Sequence, residues 1–298
     1  MTHPTTETAS ARYDGIEDWP TAEIVAAITE SQLHAAAIVS AQSAVIVEAV
    51  DRAAARIGTG GRLIYLGAGT SGRIATQDAA ELLPTFAWPP ERAVSVMAGG
   101  KDAFTRAIEG AEDDGAAAEA EIDALGVGEA DIVIGVAASG NTPFAVAGIA
   151  RARRRGALTI GIMNNAHGRL GPAAEIAIVT ATGPEVVAGS TRMKAGTAQK
   201  IALNAFSTAL MVRLGFVWRG RMVEMRPTNA KLERRARLMV ADLTGADEAA
   251  SEQALKAAGG SIKRAVVMLT LDCDSAAAQA ALDANDGHLG RTLAAATG

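Results

Sequence analysis

The chain has one cysteine, Cys273, in 298 residues. It can therefore form no internal disulfide and no cysteine-rich zinc site. Aromatic residues are scarce, at 3%. With alanine abundant, that composition favours close-packed helices over a β-sandwich. No apolar run approaches the roughly 18 residues a membrane span needs. Positive charge is in deficit, with 28 Lys and Arg against 33 Asp and Glu and a net charge of −5, which argues against a nucleic-acid partner. The first twenty residues, MTHPTTETASARYDGIEDWP, are polar and lack a basic-then-apolar leader. His34, His167 and His288 are scattered and suggest no metal site. These gaps leave a cytoplasmic enzyme or regulator as the expected class.

What is present is a large apolar reserve. Hydrophobic residues make up 49% and charged residues 20%, enough for one sizeable α/β core and a small appendage. Residues 1–57 read as a loose arm of about 20 residues followed by two Ala/Ile/Val-rich helices. Residues 58–227 alternate strand and helix patterns. Strands are predicted at Arg62–Leu66, Ala93–Met97, Asp131–Ala137, Leu158–Met163 and Glu175–Val179, with helices over 71–83, 112–125, 142–155 and 192–214. That alternation predicts an α/β fold with a mostly parallel sheet covered on both faces, its site beyond the carboxyl ends of the strands. Residues 228–298 read as helices only, the first ended by Gly245. The apolar helices of 21–57 would leave a greasy face unless paired, so a homodimer is expected.

The stretch RLIYLGAGTSGR, residues 62–73, runs from strand into a glycine loop. Gly67, Gly69 and Gly72 satisfy a dinucleotide fingerprint, but that pattern wants a carboxylate at the end of the next strand to bind ribose. The next strand, AVSVMAGG, ends without one, and Asp102 lies just beyond it. Thr70 and Ser71 instead offer two hydroxyls beside a helix start, a combination suited to a single phosphate. A second loop repeats the design: strand, Ser139-Gly140-Asn141-Thr142, then a helix with Pro143 near its start. Ser139 and Thr142 are also ordinary capping residue types. Two such loops at the ends of two strands point donors into one crevice.

GAGTSGR and AASGNTP resemble the sugar isomerase (SIS) domain, which implies a three-layer phosphosugar-binding α/β sandwich, beside the small C-terminal helical domain read from residues 228–298. GRLIYLGAGTSGRIATQDAAELLPTF, MAGGKDAFTRAIEGAEDD, GSTRMKAGTAQKIALNAFST, TNAKLERRA and TGADEAASEQALKAAGGSIKRAVVML further resemble the N-acetylmuramic acid 6-phosphate etherases, from about residue 20 to the end. By residue type alone, Glu81 reads as an exposed helical residue and Glu112 as part of an acidic helix start. The resemblance implies instead that they are the acid/base pair, Glu81 the acid and Glu112 the base at C2. The implied reaction removes D-lactate from C3 of the 6-phosphorylated sugar by elimination and water addition, with no metal or redox cofactor, leaving N-acetylglucosamine 6-phosphate, in cell-wall sugar recycling. Phosphate and sugar contacts are expected from Thr70, Ser71, Gly72, Ser139, Gly140, Asn141 and Thr142. One departure is Asn141, where related etherases often carry arginine; it supplies a donor but no charge.

GSTRMKAGTAQK packs cations at a helix start, against the dipole, so anion or sugar contact is expected from Ser190 and Lys194. Glu185 is a third carboxylate near that stretch. The run RARRR, 151–155, sits at a helix C-terminus and reads as a solvated face. Two alternatives share the fold: a non-catalytic phosphosugar-binding regulator, which would need neither Glu81 nor Glu112, and an aldose–ketose isomerase, which lacks the EGAED and STRMKAGT stretches.

Overall fold

The computed structural model describes residues 5–106, 108–227 and 229–297. The chain forms two compact units, Met1–Ala80 with Pro90–Thr208, and Glu81–Pro89 with Ala209–Gly298. The first holds a five-stranded parallel sheet of β1 (Leu63–Gly67), β2 (Ala93–Met97), β3 (Ile132–Ala137), β4 (Leu158–Met163) and β5 (Ile176–Val179), in the order β2-β1-β3-β4-β5. β1, β3 and β4 are buried at every residue, as a sheet covered on both faces requires. Strands β1, β3 and β5 begin one residue later than the apolar pattern predicts, because the residue before each is charged and paired. Arg62 grips Asp131 through Nε at 3.0 Å and Nη2 at 2.7 Å, and Glu175 pairs with Arg52.

The helices of this unit are α1 (Thr21–Ser40), α2 (Ser43–Ile57), α3 (Gly69–Phe86), α4 (Gly115–Ala124), α5 (Pro143–Arg154), α6 (Leu170–Ala173) and α7 (Lys194–Arg213), with α3 and α7 running on into the second unit. Ile64, Leu66, Val96, Val133 and Ala137 face a core shared with Ala118 and Ile122 of α4 and Phe144, Ala145 and Ile149 of α5. On the opposite face Tyr65 donates to Asp78 of α3 at 3.0 Å, and Asp78 also accepts from Asn204 and Ser207 of α7 at 2.6 and 3.1 Å. Burial pushes the Asp78 carboxyl above its usual range, against those hydrogen bonds.

The arm is less loose than its composition predicts. It folds into three short 3₁₀ turns, with Thr6 buried and Arg12 paired to Glu30 of α1. The arginine run is likewise no simple solvated face. Arg151 makes a bidentate pair with Asp123 and Arg154 pairs with Glu119, tying α5 to α4, while Arg153 and Arg155 donate to backbone carbonyls.

The second unit is helical apart from one feature that carries no usual turn signal, a hairpin of β6 (Val217–Trp218) and β7 (Arg221–Met222). Both turn residues, Arg219 and Gly220, have positive φ, the mirror-image turn favoured in two-residue hairpins. Helices α8 (Ala230–Thr244), α9 (Glu248–Ala257), α10 (Ile262–Leu271), α11 (Ser275–Asp283) and α12 (Leu289–Thr297) follow. Asn229, Asp247, Ser261 and Asp274 cap four of them through side-chain oxygens, and Gly245 ends α8 in the left-handed conformation. Among the described residues no single helix is long and apolar enough to cross a membrane.

Candidate active site

The chain leaves β1 for β2 on one side and returns to β3 on the other. That reversal opens a crevice beyond the carboxyl ends of the strands, the usual ligand position in such sheets. A cavity of about 410 Å³ lies beyond the carboxyl ends of β1 and β2 rather than at the reversal itself, lined by Ala68, by Gly69, Thr70 and Arg73 of α3, by Met97 at the end of β2 and Ala98 after it, and by Ala103, Arg106 and residues 108–112.

The loop after β1 owes its shape to two glycines in contact. A Cβ on Gly72 would lie 2.4 Å from Met97 Sδ and 2.7 Å from the Gly67 carbonyl. Gly72 is therefore a close-packing residue, and its N–H is spent on the Ala68 carbonyl at 3.0 Å, so it does not open its own amide to a ligand. The positive φ falls on Gly69 instead. Helix α3 begins at Gly69, two residues earlier than expected. Thr70 and Ser71 thus occupy the first turn, where amides have no intrahelical acceptor. Their hydroxyls also have no partner among the described residues; Thr70 is half-buried and Ser71 buried.

Arg73 clasps the stretch that precedes the Glu112 turn in sequence. Its Nε donates to the carbonyls of Ala103 and Phe104 at 3.0 and 3.2 Å, and its Nη2 to that of Arg106 at 2.9 Å. Glu112 lies in a 3₁₀ turn, Ala111–Asp113, rather than in the helix expected over 112–125. The capping role falls to Asp114, which accepts from the Ala117 amide at 2.8 Å. Glu112 is exposed and free of that duty, and it shares the cavity with Thr70. In this stretch the family resemblance had pointed only to Glu112; Arg73, Arg106 and Glu109 line the cavity too. Glu81 is exposed on α3, one helical turn beyond the buried Asp78, and belongs to the second compact unit.

Ser139, Gly140, Asn141 and Thr142 form the loop after β3. Neither hydroxyl caps α5. Ser139 Oγ accepts from the Asn141 amide at 3.1 Å, and the Asn141 carboxamide donates to the Ser139 carbonyl at 3.3 Å and accepts from the Arg169 amide at 3.1 Å. Gly140 has φ +68°, and a Cβ there would lie 2.8 Å from Gly168 Cα. The Thr142 hydroxyl has no partner among the described residues.

The 185–200 segment resolves its charge conflict internally. Glu185 is buried and its two oxygens accept from the amides of Lys194 and Ala195 at 3.0 and 2.8 Å, a carboxylate cap on α7. Glu185 is therefore committed to the helix and does not enter a site. The Lys194 ammonium donates to the Pro184 carbonyl at 2.7 Å; burial pulls it below its usual range, partly offset by Glu185. Ser190 is half-buried in the turn before α7. Ser71, Gly72, Ser139–Thr142, Ser190 and Lys194 are not among the described residues lining the Thr70–Glu112 cavity.

Residues 45–153 match the glucokinase regulatory protein N-terminal SIS domain and residues 115–209 match the SIS domain. An N-acetylmuramic acid 6-phosphate etherase of Deinococcus radiodurans is 47% identical over 98% of this chain and 96% of that protein. The chain belongs to the N-acetylmuramic acid 6-phosphate etherase family. The etherase of Streptomyces coelicolor is 44% identical over 99% of this chain and 94% of its own length, so the likeness extends through the C-terminal helices. A phosphoheptose isomerase of Francisella tularensis aligns with a TM-score of 0.47 at 16% identity, over 65% of this chain and 98% of that one.

Proposed function

We propose that this chain cleaves the D-lactyl ether of N-acetylmuramic acid 6-phosphate, giving N-acetylglucosamine 6-phosphate and D-lactate. The observation that carries the reading is that Glu112, a carboxylate without a structural task, shares one cavity with the free hydroxyl of Thr70 at a helix start. The phosphate sits against Thr70, Ser71 and the first amides of α3, with Thr142, Ser190 and the remaining donors of Lys194 toward the sugar. Ser139, Gly140 and Asn141 shape the second wall.

An alkoxide is a poor leaving group, so the sugar first opens to the C1 aldehyde, which acidifies the C2 proton. Glu112 takes that proton. The electron pair forms the C2–C3 double bond as the C3–O bond breaks, and Glu81 protonates the departing lactate oxygen. Water then adds at C3 and a proton returns to C2. Each positioned proton transfer contributes about 10²–10⁴-fold. Support for Glu81 is the family resemblance of its QDAAE stretch.

The same reading takes the active form to be a homodimer in the cytoplasm, since a phosphorylated sugar does not cross a membrane unaided. Helix α1 exposes Ala22, Val25, Ala26, Thr29, Leu33 and Ala36 at helical spacing, with Val25 53% and Leu33 73% exposed. A second copy covering that stripe removes apolar area from water. The test is incubation with N-acetylmuramic acid 6-phosphate and assay for D-lactate. Tight binding without lactate release would replace the lyase with a phosphosugar-binding regulator.

A further inference from the structure

Two arginines line the Thr70–Glu112 cavity and they are employed differently. The guanidinium of Arg73 is spent on the carbonyls of Ala103, Phe104 and Arg106. Arg106 lies on the clasped segment, so its backbone is fixed, while its side chain is exposed and has no hydrogen-bond or ion-pair partner among the described residues. The other described lining groups are Thr70, two carboxylates, Glu109 and Glu112, and otherwise apolar or glycine residues. The cavity thus presents one uncommitted cation beside two uncommitted anions.

The substrate of the reading above carries two anionic groups at different ends, a phosphate on C6 and a carboxylate two bonds beyond the C3 ether oxygen. The hydroxyls and amides at the start of α3 suit the phosphate. A carboxylate entering the same cavity meets Glu109 and Glu112, a like-charge approach that costs affinity unless a cation intervenes. A planar guanidinium matches a carboxylate with two parallel hydrogen bonds, which an ammonium does not.

We infer that Arg106 binds the carboxylate of the lactyl ether and sets the preference for that sugar over the lactate-free sugar phosphate. The inference rests on the etherase reading. Its anchor is the Arg73 clasp, which fixes the Arg106 backbone beside the cavity that Glu112 also lines.

Binding and turnover of wild type, Arg106→Gln and Arg106→Lys test it, with three probes: N-acetylmuramic acid 6-phosphate, its lactyl carboxamide analogue, and N-acetylglucosamine 6-phosphate. Arg106→Gln is expected to weaken the first about 10–100-fold, the size of a charge-assisted contact. Affinity for the two uncharged-arm sugars should stay within about twofold, with Arg106→Lys intermediate for the acid alone. Equal weakening of all three sugars, or none at all, overturns the assignment. Arg106-dependent preference for the muramic sugar with no D-lactate released by wild type would sink the etherase reading and leave the carboxylate contact standing.

Discussion

The loops after β1 and β3 are written alike, as strand, glycine, hydroxyl residues and helix, yet they spend their polar groups in opposite ways. After β1 the helix begins at once, so Thr70 and Ser71 sit in its first turn with hydroxyls and amides uncommitted. After β3 the loop is longer, and Ser139 and Asn141 bond each other and the Arg169 amide. Both depend on a glycine pressed against a second glycine, Gly72 on Gly67 and Gly140 on Gly168. Equal backbone packing therefore leaves the Thr70 and Ser71 hydroxyls of one loop uncommitted and ties Ser139 and Asn141 of the other into the loop's own hydrogen bonds.

The largest test of that contrast is on the cavity that the first loop shares with Glu112. Glu112→Gln is expected to cut lactate release by about 10²–10⁴-fold and to stop solvent exchange at C2. Exchange at the wild-type rate would remove Glu112 as the base. Next in size are the glycines, which should behave alike in both loops. Gly72→Ala and Gly140→Ala each force a contact below 3 Å on neighbouring backbone, and about 1–3 kcal/mol of stability should be lost in each, read from denaturant midpoints.

The amino ends of the same strands provide a control remote from both loops. Burial pushes the Asp131 carboxyl up, but hydrogen bonds from Arg62 and Gly128 outweigh it and leave it below the usual carboxylate range. A depressed value in the folded state means that this stabilisation is present above the unfolded-state value near 4 and is lost as pH falls through the folded one. Asp131→Asn should therefore flatten the acid limb of the stability–pH curve without changing activity per folded molecule at neutral pH. An unchanged acid limb would mean the pair contributes nothing to folding.

The smallest effects separate the loops most sharply. Thr70→Val should raise the Kd for the sugar phosphate about fivefold, roughly 1 kcal/mol, with little change in Tm. Asn141→Ala should do the reverse, lowering stability by about 1 kcal/mol while Kd changes little. If Asn141→Ala weakens binding more than Thr70→Val, the division of labour drawn here is wrong.

Much of the frame was legible from residue order. The five apolar runs became the five strands because β-branched and apolar stretches bounded by charge and glycine have few other options in a doubly covered sheet. What escaped was set by neighbours distant in sequence. Glu185 looked like a free carboxylate until the fold placed it under the amides of α7. The arginine run is largely exposed, as expected, but its surface pairing with Asp123 and Glu119 of α4 is not written in the run itself. The hairpin at Arg219-Gly220 carries no Asn-Gly or Asp-Gly signal to announce it.

In the candidate site, residue type marked Thr70 as a donor and family resemblance marked Glu112. Neither distinguished Asn141, which bonds its own loop, from the adjacent Thr142, whose hydroxyl has no partner among the described residues. Arg73 and Arg106 both stood in quoted motifs without a role, since a guanidinium's task depends on which carbonyls or carboxylates come within 3 Å of it.

Apolar periodicity and glycine placement by themselves determined the parallel α/β frame, the crevice at the strand ends and the helical C-terminal region, because those follow from burying surface along the local chain. Which polar groups remain available for a ligand was decided only in three dimensions. Most buried polar groups find a partner, and the partners that claim Glu185, Asn141 and Arg73, or leave Thr70, Arg106 and Glu112 unclaimed, are set by the fold rather than by proximity in sequence.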